Sequence, residues 1–292
     1  MSVNDVSRWH TGALLATTEL SAASTPILVA DSWLVTEGRT RGLALHRDRF
    51  LRAVEASTAE ASAAEASAAT ASAATASAAT ASAATAGDTL VDDAEEFWDA
   101  AMASLPRTGD WFPRVELRAA TDEAAATLHL TLRAAPEQLR SVVVATLPGE
   151  DPRTAPNVKG PDLERMAQAR ETVAPSGAGE AIIVTSEGFV VEGAYSGLLW
   201  WRGSILCAPL AEFDRVDSVT VRSVLALATA LGIETYTEAV TPAELEGTEL
   251  WALSALHGAR IVTNWVDGPA LAELPGRLGQ WRTRLGALRQ PL

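Results

Sequence analysis

A turn and the start of a predicted helix meet in the segment Asn157-Val158-Lys159-Gly160-Pro161-Asp162-Leu163. Pro156 precedes the segment and Gly160-Pro161 lies inside it, a composition typical of a rigid turn. After the turn, apolar residues recur at helical spacing, which predicts a helix with Asp162 as its N-cap and with Gly177 and Gly179 ending it. Lys159 therefore projects from a fixed turn just ahead of a helix, which suits an amine that must reach a defined point. A solvated loop lysine is the alternative that this segment alone leaves open.

Composition and charge exclude several classes of function. The chain has 292 residues, of which 48% are hydrophobic, enough for two domains or one large one. Its formal net charge of -14 argues against nucleic acid or an anionic membrane as the main partner, because both attract a basic face. No apolar run reaches the roughly 18 residues of a transmembrane helix, so no membrane span is predicted.

A cytoplasmic location is the simplest expectation from the termini and the cysteine content. The first residues lack the basic-then-apolar layout of a signal peptide. The single cysteine, Cys207, cannot form an internal disulfide, which suits a reducing compartment. Its expected role is that of a small buried hydrophobic residue.

An N-terminal α+β domain is expected over residues 1–138. A strand, a turn at Glu37-Gly38 and a returning strand through Leu43 and Leu45 are predicted there, followed by a helix that begins at about Arg47. Antiparallel strands are also predicted over residues 111–118 and 127–133, because apolar and polar residues alternate there.

A low-complexity insertion occupies residues 56–86 of this domain. The pentapeptide Ala-Ser-Ala-Ala-Thr repeats there from position 61 to position 85 with little variation. Because the repeat has no large apolar side chain to bury, we expect a mobile or frayed-helical segment on the surface.

A second domain is expected over residues 141–292. Its predicted helices cover 163–173, 221–231 and 277–288, and its predicted strands cover 142–144, 180–184, 189–192, 198–201, 204–207, 250–253 and 261–266. Strands and helices alternate without a strict β-α-β rhythm, so the α+β class is favoured.

Common catalytic and metal-binding motifs are missing from the sequence. It contains no P-loop, no Gly-x-Gly-x-x-Gly after a predicted strand and no His-Glu-x-x-His. The four histidines, His10, His46, His129 and His257, lack the spacing of metal ligands, so no metal site is expected.

Three motifs occur in an order that resembles a known family. They are Lys159 ahead of a helix, Glu192-Gly193-Ala194-Tyr195-Ser196 at a strand end, and Ser218-Val219-Thr220 at a helix start. Together they resemble the class IV aminotransferases, the fold-type IV enzymes that use pyridoxal 5'-phosphate (PLP). That family includes branched-chain and D-amino acid aminotransferases and aminodeoxychorismate lyase. The resemblance covers nearly the whole chain apart from the alanine-rich insertion.

The resemblance assigns cofactor roles to residues of all three motifs. Lys159 would hold PLP and move the α-proton of the substrate. Glu192 would keep the pyridine nitrogen of the cofactor protonated, which strengthens the cofactor as an electron sink. Val219 and Thr220 would bind the phosphate at a helix N-terminus. Arg49, in His46-Arg47-Asp48-Arg49-Phe50, matches the family's phosphate arginine. An exposed helix arginine and an ordinary N-cap threonine are the alternatives for Arg49 and Thr220.

Three further residues follow from the same resemblance. Ser254 lies in Glu249-Leu-Trp-Ala-Leu-Ser254-Ala255-Leu256-His257-Gly258, where relatives carry a hydroxyl or amide near the phosphate or the substrate. Ser32 falls where the N-terminal strand of the family faces the substrate. Arg114 is a second candidate for substrate binding, with a solvent-facing strand arginine as the alternative.

Several positions depart from the family pattern. The usual Lys-x-x-Asn is Lys159-Gly-Pro-Asp162 here, Ser218 replaces a glycine, and Ala255 stands where aminotransferases often have a threonine. Neither the lysine nor the glutamate is lost. The departures leave the substrate and the reaction type open.

The resemblance implies an enzyme with a defined architecture and reaction. We expect a small N-terminal α+β domain, a larger C-terminal pseudo-barrel domain and a homodimer. The expected activity is PLP-dependent transfer of an amino group between an amino acid and a 2-oxo acid. A lyase that releases pyruvate from an aminodeoxychorismate-like substrate, and a non-catalytic relative, are the alternatives.

Overall fold

The structure is a computed structural model that describes residues 5–17, 25–71, 76–120 and 125–292. The chain divides into two compact units. One comprises Met1–Arg39, Leu43–Ala135 and Leu292, and the other comprises Thr40–Gly42 and Pro136–Pro291. In the described part of the chain, no helix combines the length and the apolar character that a membrane crossing requires.

The first unit combines a five-stranded antiparallel sheet with two long helices. Its elements are β1 (Asp5–His10), β2 (Ala13–Ala16), β3 (Ile27–Ser32), β4 (Val35–Thr36), α1 (Leu43–Ala71), α2 (Ala76–Ser104), β6 (Asp110–Trp111), β7 (Arg114–Arg118) and β8 (Thr127–Leu132), with β5 (Arg39–Thr40) at its boundary. The sheet order is β2-β1-β8-β7-β3, and β4 pairs with β6.

Alternating side chains give this sheet one apolar face and one polar face. Leu117 and Leu128 are directly paired and fully buried. The helices supply aromatic residues to the same core, where Trp9 meets Phe97 at a centroid distance of 6.2 Å. Glu116 and His129, paired across β7 and β8, belong to the opposite set of positions.

The start of α1 corrects one prediction from the sequence. The returning strand ends at Thr40, and Leu43 and Leu45 lie in the first turns of the helix rather than in a strand. Gly42 adopts the left-handed conformation, with φ of 64°, just before the helix begins. This residue ends the extended segment and allows the helix to start earlier than predicted.

The pentapeptide repeat extends both long helices in the described residues. Helix α1 continues through it to Ala71, and α2 resumes at Ala76. Alanine has the strongest helix propensity, and each repeat helix continues from a segment packed on the sheet. The helical form expected for the repeat is therefore observed, whereas its expected mobility stays a prediction, as do the domain limits 1–138 and 141–292.

The second unit contains an eight-stranded mixed sheet. Its elements are β9 (Ser141–Thr146), α3 (Leu163–Val173), β10 (Glu180–Val184), β11 (Val190–Gly193), β12 (Gly197–Arg202), β13 (Ile205–Pro209), α4 (Val219–Ala230), β14 (Thr235–Glu238), β15 (Glu249–Ser254), β16 (Gly258–Val266), α5 (Arg277–Ala287) and β17 (Gln290–Pro291). The sheet order is β11-β10-β9-β16-β15-β12-β13-β14.

Both faces of the large sheet are covered. Helices α4 and α5 contribute Val224, Ala228 and Trp281 to a core on one face. Trp200, Leu250 and Trp265 belong to a second core cluster. Because strands with two buried faces read as nearly continuous apolar runs, these central strands could be predicted from the sequence.

Edge strand β14 was not predicted. Its sequence Thr-Tyr-Thr-Glu is mostly exposed, so it carries no buried apolar pattern. It joins the sheet through parallel pairing with β13, which is a tertiary contact that local periodicity does not encode.

Candidate active site

Lys159 lies in a loop that Asp162 holds in place. The carboxylate of Asp162 accepts hydrogen bonds from the backbone N–H groups of Thr154 at 3.0 Å and Ala155 at 2.9 Å, and from the Thr154 hydroxyl at 2.8 Å. These hydrogen bonds outweigh burial and lower the pKa of Asp162. Asp162 occupies the predicted N-cap position of α3, but its side chain makes no cap hydrogen bond and binds Thr154 and Ala155 instead.

The lysine loop is tied to the segment that precedes α4. Asn157 Nδ2 donates to Asp214 Oδ1 at 2.9 Å, and the Arg215 N–H donates to Asn157 Oδ1 at 3.1 Å. Lys159 itself is partly buried. The turn that carries Lys159 is therefore fixed against residues that continue into the N-terminus of α4.

Glu192 is a buried carboxyl group near the end of β11. Arg153 Nη1 donates to Glu192 Oε1 at 2.5 Å, and the Val216 N–H also donates to this carboxylate. Burial raises the pKa of Glu192 to about 7, although Arg153, Val216 and the charge of Arg215 oppose the rise. Glu192 can therefore exchange a proton near neutral pH.

The turn after Glu192 is held by a buried ion pair. Glu180 accepts hydrogen bonds from the Tyr195 N–H and from Ser196 Oγ, each at 3.0 Å, and from Arg260 Nη2 at 3.2 Å. A Cβ atom on Gly193 would lie 2.5 Å from Ser196 Oγ, so the turn requires glycine there. This network fixes the strand end that presents Glu192.

The segment just before α4 contacts both the lysine loop and Glu192. Ser218 Oγ accepts a hydrogen bond from the Val221 N–H, which makes Ser218 the N-cap instead of Thr220. Val219 and Thr220 are buried in the first turn. Since Arg215 and Val216 contact the lysine loop and Glu192, a short segment brings all three motifs together.

An arginine that the sequence reasoning missed reaches this helix. Arg41 Nη2 donates to Thr220 Oγ1 at 3.2 Å. Ser254 lies at the end of β15, where its Oγ accepts a hydrogen bond from the His257 N–H at 3.2 Å. The position of a Cβ on Gly258, in the same turn, is 3.9 Å from Arg41 Nη1.

Three candidates from the sequence lie in the first unit. Arg49 donates from Nε and Nη2 to the two carboxylate oxygens of Asp31, at 2.9 and 2.7 Å. Ser32 and Arg114 are directly paired across β3 and β7. Arg114 is ion-paired with the buried Glu116. The structure thus places Ser32 and Arg114 together in this unit.

Two signals in the sequence could have sharpened these assignments. The 23 lysine and arginine residues of the chain include a single lysine, Lys159. A basic residue type used once, in a structured loop, is unlike a general solubilising charge. Arg153 lies six positions before it in the same loop, whereas nothing near Arg41 in the sequence indicates its contact with Thr220.

In the described residues, no group of three or more His, Cys, Asp or Glu side chains could hold a metal ion.

Residues 28–265 match the family model described as Amino-transferase class IV. A comparison with curated protein sequences gave no significant match.

Solved structures with similar folds include three relatives. A hypothetical aminotransferase from Mycobacterium tuberculosis in a PLP-bound form is 18% identical, with a TM-score of 0.68 and 98% of each chain covered. A branched-chain aminotransferase from Thermoproteus uzoniensis with norvaline is 17% identical, with a TM-score of 0.72 and coverage of 100% of this chain and 99% of that one. A putative 4-amino-4-deoxychorismate lyase from Legionella pneumophila is 12% identical, with a TM-score of 0.65 and coverage of 89% and 90%. These likenesses confirm the predicted α+β fold of type IV.

Proposed function

The chain belongs to the class IV aminotransferase family, and we propose that it is a PLP-dependent aminotransferase that moves an amino group between an amino acid and a 2-oxo acid. One observation carries the proposal. The only lysine of the chain lies in a loop that Asn157 ties to Arg215, and Arg215 lies beside the buried Glu192.

The residues of the second unit fit PLP. Lys159 is the only lysine of the chain, so its amine is the only lysine amine that can bind an aldehyde covalently. Glu192 is a buried carboxyl group of the kind that pairs with a ring nitrogen. A buried guanidinium nitrogen of Arg41 lacks a hydrogen-bond partner beside the first turn of α4, where an anion is stabilised. A PLP-bound structure of the M. tuberculosis relative supports the same cofactor.

When bound, PLP supplies an electron sink for charge that develops at the substrate α-carbon. In the proposed mechanism Lys159 Nζ would hold the cofactor and would carry the α-proton. Glu192 would hold a proton at the ring nitrogen. Arg153 and the Val216 N–H fix the orientation of the Glu192 carboxylate, because both donate to it. Val219, Thr220 and Ser254 would hold the phosphate end of the cofactor.

Substrate recognition is assigned in the proposal to Ser32 and Arg114. Arg114 would bind a carboxylate, the group that every amino acid and 2-oxo acid shares. Glu116 forms ion pairs with both Arg114 and Arg118, so one positive charge of this group remains for a substrate carboxylate. A cytoplasmic homodimer is part of the proposal on the family resemblance alone, and light scattering after size-exclusion chromatography tests the dimer.

Reductive trapping tests the cofactor assignment. The protein is mixed with PLP, its absorbance spectrum is recorded, and borohydride fixes the linkage before peptide mass spectrometry. Because Lys159 is the only lysine, one side-chain adduct is expected, on the peptide that contains residue 159. A Lys159→Arg variant keeps the positive charge and should lose the adduct. A wild-type protein that takes up no PLP would favour a non-catalytic relative.

Product analysis tests the reaction type. Holoenzyme is mixed with amino acid and 2-oxo acid pairs, and the new amino acid is measured. Glu192→Gln should lower the rate of transfer by at least about 100-fold, because a neutral amide no longer stabilises the charged ring nitrogen. Release of pyruvate from an aminodeoxychorismate-like substrate without an amino acceptor would support the lyase alternative instead.

A further inference from the structure

Arg41 forms a cationic centre at the N-terminus of α4. It belongs to the short segment Thr40–Gly42, which clusters with the second unit. Its Nη2 donates to Thr220 Oγ1 at 3.2 Å, and its Nη1 lies near the turn at Gly258. The guanidinium group therefore lies between the first turn of α4 and the β15–β16 turn.

The charge of Arg41 is not balanced within the described residues. No carboxylate pairs with it there, and the charged groups that act on it are Arg282 and Arg289, both repulsive. Burial, reinforced by these two cations, lowers the pKa of Arg41 to about 10. Its Nε is buried and has no hydrogen-bond partner. Arg41 is partly buried, and a cation that two other cations repel and that has an unused buried donor is unfavourable unless an anion completes its surroundings.

The first turn of α4 favours an anion at the same place. The helix has 12 residues, and Ser218 caps the N–H of Val221. The preceding N–H groups of Val219 and Thr220 have no acceptor inside the helix, and they carry the positive end of the helix dipole. The hydrogen bond from Arg41 to Thr220 places a side chain with an unused donor beside these N–H groups.

Arg49, which the sequence resemblance assigns to the phosphate, has a different partner. Two of its nitrogens donate to both oxygens of Asp31, a carboxylate with no exposed surface. His46 Nδ1 lies 2.8 Å from the same carboxylate. The charge of Arg49 is therefore already neutralised by a buried partner, unlike that of Arg41.

We propose that Arg41, together with Thr220 and the first turn of α4, binds the phosphate of PLP, the role that the motif resemblance gives to Arg49. This inference rests on the proposed function, since it takes PLP as the cofactor. Arg41 is a cofactor-positioning residue in this assignment, and Arg49 is a structural residue of the first unit.

Comparing PLP with pyridoxal, which lacks the phosphate, tests the assignment without measuring turnover. Arg41→Met should weaken PLP binding by about 10- to 100-fold, the range for lost charge-assisted hydrogen bonds, and leave pyridoxal binding unchanged. Arg49→Met should change the ratio of the two affinities by less than about threefold, since Arg49 is paired with Asp31. Arg39→Gln, at an exposed position two residues before Arg41, is the matched control and should match the wild type.

Thermal unfolding separates a phosphate site from a folding defect. Cofactor-free Arg41→Met should unfold at or above the wild-type temperature, because the substitution removes a partly buried cation that Arg282 and Arg289 repel. Inorganic phosphate should raise the unfolding temperature of the wild type and not that of Arg41→Met. A lower unfolding temperature for cofactor-free Arg41→Met would contradict the argument from charge.

The outcomes distinguish this inference from the proposed function. A wild-type protein that binds no PLP overturns both. Normal PLP uptake at Lys159, with an unchanged PLP-to-pyridoxal ratio in Arg41→Met, overturns the Arg41 assignment alone. The same unchanged ratio with weaker binding of a 2-oxo acid would make Arg41 a substrate residue, which also overturns it.

Discussion

The protonation of Glu192 is set by two opposing effects at a single residue. Burial raises its pKa from 4.5 to about 7, while Arg153 at 2.5 Å favours the charged form. Between these two pH values the folded protein retains a proton that the unfolded chain releases. Stability should therefore fall as pH rises through this window, by about 3 kcal/mol in total from this group.

Urea unfolding of the cofactor-free protein and of Glu192→Gln measures this contribution. The stability of the wild type relative to Glu192→Gln should fall between pH 4.5 and pH 7, because the amide does not titrate. Other carboxylates are common to both proteins and cancel in the difference. A flat or rising difference would mean that the ion pair with Arg153 keeps Glu192 charged in the folded state.

Asp31 is the opposite case, a buried carboxylate whose charged form is stabilised. His46 and Arg49 outweigh the effect of burial and lower its pKa well below its usual range. Asp31→Asn should cost about 3–5 kcal/mol at pH 7, because it leaves the charge of Arg49 without its partner. The cost should shrink as pH falls below about 4, where the unfolded aspartate takes up a proton.

Denaturant unfolding at pH 7 and at about pH 3 tests this dependence. Asp48→Asn, at an exposed position of α1 next to Arg49, serves as the control and should change stability by less than about 0.5 kcal/mol. An equal cost at both pH values would show that the contact matters for packing and not for charge.

At the scale of secondary-structure elements, the packing of β12 against α4 depends on Gly197. A Cβ atom on Gly197 would lie 2.6 Å from Val221 Cγ2 and 3.3 Å from Ser218 Cβ. Gly197→Ala should therefore displace the first turn of α4, at a cost of about 1–3 kcal/mol, and weaken PLP binding. Thermal unfolding and PLP titration measure the two effects.

A second substitution shows whether the contact is the cause. Val221→Ala removes the clashing methyl group, so the double variant should recover most of the stability that Gly197→Ala loses. Gly279→Ala in α5, where an added Cβ meets nothing within 4 Å, is the control and should stabilise the protein by about 0.5–1 kcal/mol. No recovery in the double variant would assign the loss to the backbone of β12.

Elements with a strong apolar period could be predicted from the sequence, and those defined by distant contacts could not. Helix α3 was predicted with its observed start at Leu163, because Met166 and Val173 repeat at helical spacing, and a short 3-10 helix follows it up to the predicted end at Gly177. The order of the three motifs along the chain was enough to choose Lys159 and Glu192 as candidate site residues. The contacts of Arg153 with Glu192 and of Arg41 with Thr220 span 39 and 179 residues, a separation that local patterns do not report.

At the scale of the whole molecule, the stability of the first unit should depend on the packed segments of α1 and α2 and not on the repeat. Phe50, Val54, Phe97 and Trp98 are buried, and all lie outside residues 61–85. Replacing residues 61–85 with a short glycine-serine connection should change the free energy of unfolding by less than about 1 kcal/mol, because it removes no large apolar side chain from the core.

Circular dichroism and thermal unfolding of the shortened chain test this expectation. Helical content should fall, since α1 and α2 both extend into the repeat, while PLP binding and the unfolding temperature should stay close to those of the full chain. Phe97→Ala supplies the contrast, with an expected loss of about 3–5 kcal/mol from a fully buried site. A shortened chain that unfolds as early as Phe97→Ala would show that the repeat stabilises the first unit, despite having only small side chains.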